Sequence, residues 1–133
     1  MILVIEAKYK SDISAGTTHN KERNQVLRNI DVGSNYAGKK DFYFSLLVLD
    51  EQYSPIGVRT VNQYYEEIVQ GRKQFVEHFQ YRKGGLQNFK GLGVLYWKDI
   101  TEIFNDCAGN VSDEFESFVA GQACDWLVGK EIR

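Results

Sequence analysis

A chain of 133 residues can bury one hydrophobic core, and a single domain over residues 1–133 is the expectation. Apolar residues make up 43% and charges of both signs are interspersed, which excludes a disordered or fibrous chain. A formal net charge of −2 excludes a chain-wide positive field, so any contact with nucleic acid must come from a local basic face.

Cys107 and Cys124 lack metal-ligand spacing, and His19 and His78 do not complete one, so free thiols in a reducing compartment are expected. The N-terminal apolar run is too short for a membrane span and carries no charged leader or cleavage site. A cytoplasmic protein with no membrane partner is the expectation.

Ile2-Leu-Val-Ile-Glu-Ala-Lys-Tyr9 reads as a strand from its β-branched content. Alternation puts Val4, Glu6 and Lys8 on one face and Ile5, Ala7 and Tyr9 on the other. A carboxylate beside an ammonium on an otherwise apolar strand costs several kcal/mol per ion if buried. Two uses fit the pair. One is a half-exposed ion pair at a sheet edge, which contributes little. The other is metal-assisted phosphodiester hydrolysis, with Glu6 on a hard divalent cation and Lys8 beside the attacking water or the phosphate.

Lys10 to Thr18 has loop composition. A helix is expected from Asn20 to Asp31, capped by Thr18 or Asn20 and stopped by Gly33. Val26, Leu27 and Ile30 form its buried stripe, while Glu22, Gln25 and Asn29 line a second, polar face. Ser34 to Lys40 reads as a connection, and Phe42 to Leu49 as a second strand. Thr60-Val-Asn-Gln63 has capping-box form and opens a helix to Gln70. A further helical piece covers Arg72 to Tyr81, with Phe75, Val76 and Phe79 at helical spacing.

Arg82-Lys-Gly-Gly85 is a basic loop, Gly93 to Trp97 a short strand, and Asp99 the cap of a short helix. Ser112 caps a last helix whose core stripe is Phe115, Phe118, Val119, Trp126 and Leu127. The sum is an α/β domain, a small mixed sheet flanked by helices on both faces.

The strand Ile5-Glu6-Ala7-Lys8-Tyr9-Lys10, a polar loop, a helix presenting Gln25 and a second apolar strand together resemble the restriction-endonuclease-like, or PD-(D/E)xK, nuclease superfamily over residues 2–49. The Tyr96-Trp97-Lys98-Asp99 junction is similar to one found late in some members, and Pro55 to Phe89 has no counterpart. The resemblance implies a metal-dependent nuclease, with Mg2+ or Mn2+ as cofactor and nucleic acid, DNA in the first place, as partner. It implies Glu6 and the Ala7 carbonyl as metal ligands, Lys8 and Gln25 as catalytic residues, and Lys10 as a phosphate contact.

The superfamily pattern opens with an Asp on an earlier strand, preceded by a helix and a hairpin, and here the motif begins at residue 6. The expectation is therefore the C-terminal part of a longer nuclease domain, lacking that N-terminal helix and hairpin. Glu22 is the alternative source of the second acid. A corollary is a sheet edge left open, or paired with another chain or a second copy.

A different class of function also fits. In it the chain is a non-catalytic nucleic-acid-binding or protein-interaction module, and Tyr64, Tyr65, Phe79 and Tyr81 interleave with Arg72, Lys73, Arg82 and Lys83 as a basic-aromatic surface. Aromatics at helical spacing are also what a core uses. A third form is an interaction subunit whose partner supplies the absent strands.

Overall fold

The computed structural model describes residues 1–14, 16, 23–110 and 112–130. Its elements are β1 (Ile2–Lys8), α1 (Gln25–Ala37), β2 (Phe42–Val48), α2 (Pro55–Val69), α3 (Gln74–Glu77), β3 (Phe89–Tyr96), α4 (Trp97–Asn110) and α5 (Glu114–Gly129). They fall into two compact units, Met1–Val94 and Leu95–Arg133.

The first unit is built on a three-stranded sheet in the order β1-β2-β3. β1 and β2 are parallel, with Ile2 opposite Phe42, Glu6 opposite Leu46 and Lys8 opposite Val48. Phe42 N donates to Asn88 O at 2.8 Å where β3 starts, and Ser45 Oγ donates to Gly93 O further along. The described strands therefore run in one direction, and the expected mixed sheet is corrected to a parallel one.

Burial follows from position in the sheet. Central β2 is covered on both faces and reads as a continuous apolar run. Edge strand β1 alternates, with Ile2, Val4, Glu6 and Lys8 half-buried and Leu3, Ile5 and Ala7 exposed.

α1 and α2 pack on the sheet face that carries Val4, Phe42 and Leu46. A Cβ on Gly33 would come within 2.7 Å of the Phe42 ring, and one on Gly57 within 2.8 Å of Leu46. Two crossovers on one face, stepping the same way through the strand order, have the same hand, as parallel β-α-β units require. Below them Phe75 packs against Tyr64, Phe79 and Phe89 with ring centroids 5.4–5.5 Å apart.

Several expected boundaries move, each for a local reason. α1 opens at Gln25 under Asn24, whose Oδ1 accepts from Leu27 N at 3.0 Å; the expected start at Asn20 and cap at Thr18 lie outside the described residues. The helix runs through Gly33, which is a close-packing residue under Phe42 rather than a stop, and ends at Gly38 with φ +60°. α2 opens five residues before Thr60, at Pro55, whose missing N–H is harmless in a first turn. α3 is shorter than Arg72 to Tyr81; it buries Phe75 and leaves Val76 exposed. β3 begins at Phe89 rather than Gly93.

In the second unit α4 and α5 pack on each other, with Ser117 Oγ donating to Ala108 O at 2.6 Å. Asp113, not Ser112, caps α5 through the N–H groups of Phe115 and Glu116, each at 2.9 Å. Of the expected α5 stripe, Leu127 alone is buried and the rest is corrected. Ala120, Cys124 and Leu127 are buried, whereas Phe115, Phe118, Val119 and Trp126 are exposed. No helix among the described residues is long and apolar enough to cross a membrane.

The loop after β1 is fastened to α2 by a residue that composition alone hides. Asp12 accepts from Ile13 N at 2.7 Å and from Ile56 N and Gly57 N at 2.8 Å, placing a carboxylate on the first turn of α2. Ser54 Oγ donates to Ser11 O beside it. Asp12→Ala is expected to lower stability by about 1–3 kcal/mol, the range for lost charged hydrogen bonds and caps, read as a lower urea midpoint with unchanged slope.

Candidate functional site

The strand that carries Glu6 and Lys8 also decides where their side chains go. Both stand on the half-buried face of β1, two residues apart, under the first turn of α1. Lys8 Nζ lies 3.1 Å from Glu6 Oε1, with the two side chains 16% and 25% exposed. The pair is neither a surface ion pair nor a sealed one, so both attraction and desolvation count.

α1 completes the surroundings of Glu6. Gln25 Nε2 donates to Glu6 Oε1 at 2.7 Å and Asn29 Nδ2 donates to Oε2 at 2.8 Å. Residues four apart on a helix share a face, so one helix delivers both amides. Gln25 is held from its other end too. Its Oε1 accepts from Ser14 N and its own N–H donates to Ser14 O, each at 3.2 Å, which fixes the orientation of the amide.

Three N–H donors thus converge on one carboxylate at the N-terminal end of α1, where the helix dipole also favours negative charge. A carboxylate has roughly four acceptor positions, so about one remains on the Oε2 side. That side opens on a shallow cleft of about 310 Å³ between β1 and α1, bordered by Asn29, Val32 and Tyr36.

Ala7 contributes backbone. Ile2 N donates to Asp41 O, so by alternation Ile2, Val4, Glu6 and Lys8 turn their backbone groups toward β2. The N–H and C=O of Leu3, Ile5 and Ala7 consequently face the open edge of the sheet. The start of α1 is held in turn by Asn24, whose Nδ2 donates to Tyr64 Oη at 2.7 Å. Burial raises the Tyr64 pKa above its ordinary 10.0, against the opposite pull of the Asn24 hydrogen bond, and Glu67 adds to the rise. The phenol stays neutral and keeps that contact.

The structure brings Glu6, Lys8 and Gln25 together and adds Asn29, for which the only sequence signal was its place on the Gln25 face. Glu22 lies outside the described residues. Lys10, at φ +47°, leans over the Tyr9 ring at 5.4 Å. Arg82 is committed to α1 through Asp31 at 3.4 Å and Ser34 Oγ at 3.2 Å, and Lys83 is exposed beside it. Both belong to the opposite end of the sheet, where β2 and β3 begin. Glu6 pairs with Leu46, four residues beyond Phe42, or about 13 Å along the strand.

The basic-aromatic surface is corrected as well. Of its aromatics Tyr64 and Phe79 are core residues and Tyr65 and Tyr81 are exposed, while Arg72, Lys73 and Lys83 are exposed as expected. Among the described residues no three His, Cys, Asp or Glu side chains gather as a ready-made metal cluster. Against known proteins, no family model, curated sequence or solved structure matches this chain.

Because Gln25 donates to Glu6, Glu6→Ala and Gln25→Ala are not independent. A double-mutant cycle on unfolding free energy should return a coupling of at least about 0.5 kcal/mol. Strict additivity would mean that the two side chains do not meet.

Proposed function

We propose that this chain carries the catalytic strand of a metal-dependent nuclease of restriction-endonuclease-like fold, hydrolysing phosphodiester bonds in nucleic acid, DNA in the first place. One observation carries the reading: a Glu6–Lys8 pair at 3.1 Å, partly desolvated on an edge strand, with its carboxylate oriented by two helix amides. Fixed donors fill the lone pairs of a partly buried carboxylate, and at a reacting centre the same donors hold its charge pre-organised. The β-α-β arrangement of β1, α1 and β2 agrees with the resemblance of residues 2–49 to that superfamily.

The reading requires Mg2+ or Mn2+, and the donor set decides whether such an ion fits. Glu6 offers one carboxylate with about one acceptor position left, and the Ala7 carbonyl faces the open edge. A magnesium-like ion commonly takes one or two carboxylates and fills its remaining sites with water and phosphate oxygens, so these residues fit a weak site. When bound, the ion supplies Lewis-acid polarisation of the phosphate and acidifies its water.

The protein's own groups do the rest. Lys8 offsets negative charge building on the phosphate, and Gln25 and Asn29 hold the Glu6 rotamer. The second reading, a non-catalytic nucleic-acid-binding module, is favoured by the basic cavity at the other end of the sheet.

With one described carboxylate, metal affinity on the order of millimolar is expected. Plasmid nicking should be slow and dependent on Mg2+ or Mn2+. Lys8→Ala should lower the rate by about 10²-fold or more, the scale for losing one transition-state stabiliser, while circular dichroism stays unchanged. Equal nicking by wild type and Lys8→Ala would remove Lys8 from the chemistry. Nicking that is fast at low metal concentration would point to a second acid in this chain, and Glu22→Gln should then abolish it.

A further inference from the structure

Where β2 and β3 begin, the first unit encloses a second concavity, of about 410 Å³, between the turn that ends α1 and the loop that enters β3. Its walls carry Lys39, Arg82, Lys83 and Lys90 against a single carboxylate, Asp41. Four cations against Asp41, with Asp31 paired to Arg82 from outside the lining, leave a formal excess of two positive charges, on a chain whose overall formal charge is −2. Four of the chain's 16 Lys and Arg side chains line this one hollow, and their local field has the sign that attracts polyanions.

The hollow is built rather than accidental. Asn88 Nδ2 donates to Ser34 O at 2.8 Å and to Gly38 O at 2.9 Å, tying the end of α1 to the entry of β3. Arg82 is part of the wall, held by Asp31 and Ser34, and Lys90 faces Asp41 at 3.6 Å. Lys39 and Lys83 are exposed, and no ion pair among the described residues engages either. Gly84 and Gly85, at φ +86° and +63°, carry the chain round the rim in a conformation that L side chains rarely adopt. At Gly84 the missing Cβ lets the Gln87 side chain come close, since a Cβ there would lie 3.1 Å from Gln87 Nε2.

We propose that this cavity is a binding site for phosphodiester groups of a nucleic-acid strand, separate from the Glu6 cluster. Ammonium groups at the mouth act as point charges for phosphate oxygens. Gln87, at the edge of the cavity, has an amide able to meet a sugar or base. The mainly polar lining does not suit an apolar ligand, whose pockets are lined with hydrophobic and aromatic groups. A lipid surface is met by basic faces that also insert apolar side chains, and this hollow is lined by Gly, Lys, Arg, Asp, Asn and Gln. The proposal stands whether or not the Glu6 site is catalytic.

The test is binding without catalysis. Fluorescence anisotropy with a labelled single-stranded DNA of about 20 nucleotides, in EDTA and across a salt series, reports both affinity and the number of phosphates neutralised. Lys39→Ala/Lys83→Ala should weaken binding about tenfold or more at low salt. It should also flatten the log–log salt slope by roughly 1.4, or about 0.7 for each phosphate no longer neutralised. Arg28→Ala/Arg59→Ala, which removes the same charge from exposed positions outside the cavity, should change affinity less than about threefold.

Equal losses in the two variants, or no loss in the first, would overturn the site. So would full displacement of the DNA by submillimolar inorganic phosphate, which would assign the cavity to a free anion. Binding to phosphatidylserine-containing vesicles with the same lysine dependence would assign it to a membrane and equally overturn the proposal.

Discussion

A carboxylate on an edge strand, beneath a helix, has to be compensated before the sheet and helix can close on each other. Glu6 meets that demand with Lys8, Gln25 and Asn29, each donating to one of its oxygens at 2.7–3.1 Å. Removing all three would leave a partly buried charge without partners, a far costlier state than any single contact is stabilising. Much of the local architecture serves to deliver those donors. Asn24 caps α1 and binds Tyr64, Ser14 grips Gln25 at both ends, and Asp12 with Ser54 fastens the intervening loop to the start of α2. The helix register is set so that positions 25 and 29 face the strand.

How much of this was legible in the sequence depends on the range of the interaction involved. The β1 and β2 strands are strong β-branched and aromatic runs, so local composition located them within a residue or two. The spacing of Gln25 and Asn29 likewise declared a shared polar face. Helix ends were less legible because their determinants lie far away in sequence. Gly33 has the look of a stop until Phe42 is seen beneath it, and α2 starts early because Asp12, 44 residues before Ile56, caps it.

The aromatic positions failed for a related reason. Tyr64 and Phe79 could serve a surface or a core by spacing alone, and the tertiary cluster around Phe75 decides for the core. On α5 the apolar residues nearly encircle the helix, so periodicity could not choose a buried face. The structure buries the small and medium side chains Ala120, Cys124 and Leu127 instead of the aromatics.

Charge is sorted along the parallel sheet. The C-terminal half of β1 holds the Glu6 cluster, and the strand entries of β2 and β3 hold the basic hollow, about 13 Å or more away by strand rise. The acid with its donors and the exposed lysines are thus held at opposite ends of the sheet.

The most direct test of the central claim is to locate a bound paramagnetic ion. Mn2+ added in small amounts to nitrogen-labelled protein should broaden the side-chain amide signals of Gln25 and Asn29 before other signals in the NMR spectrum, and Glu6→Gln should abolish that broadening. Broadening centred on other residues, or undiminished in Glu6→Gln, would contradict a metal-binding role for the Glu6 carboxylate.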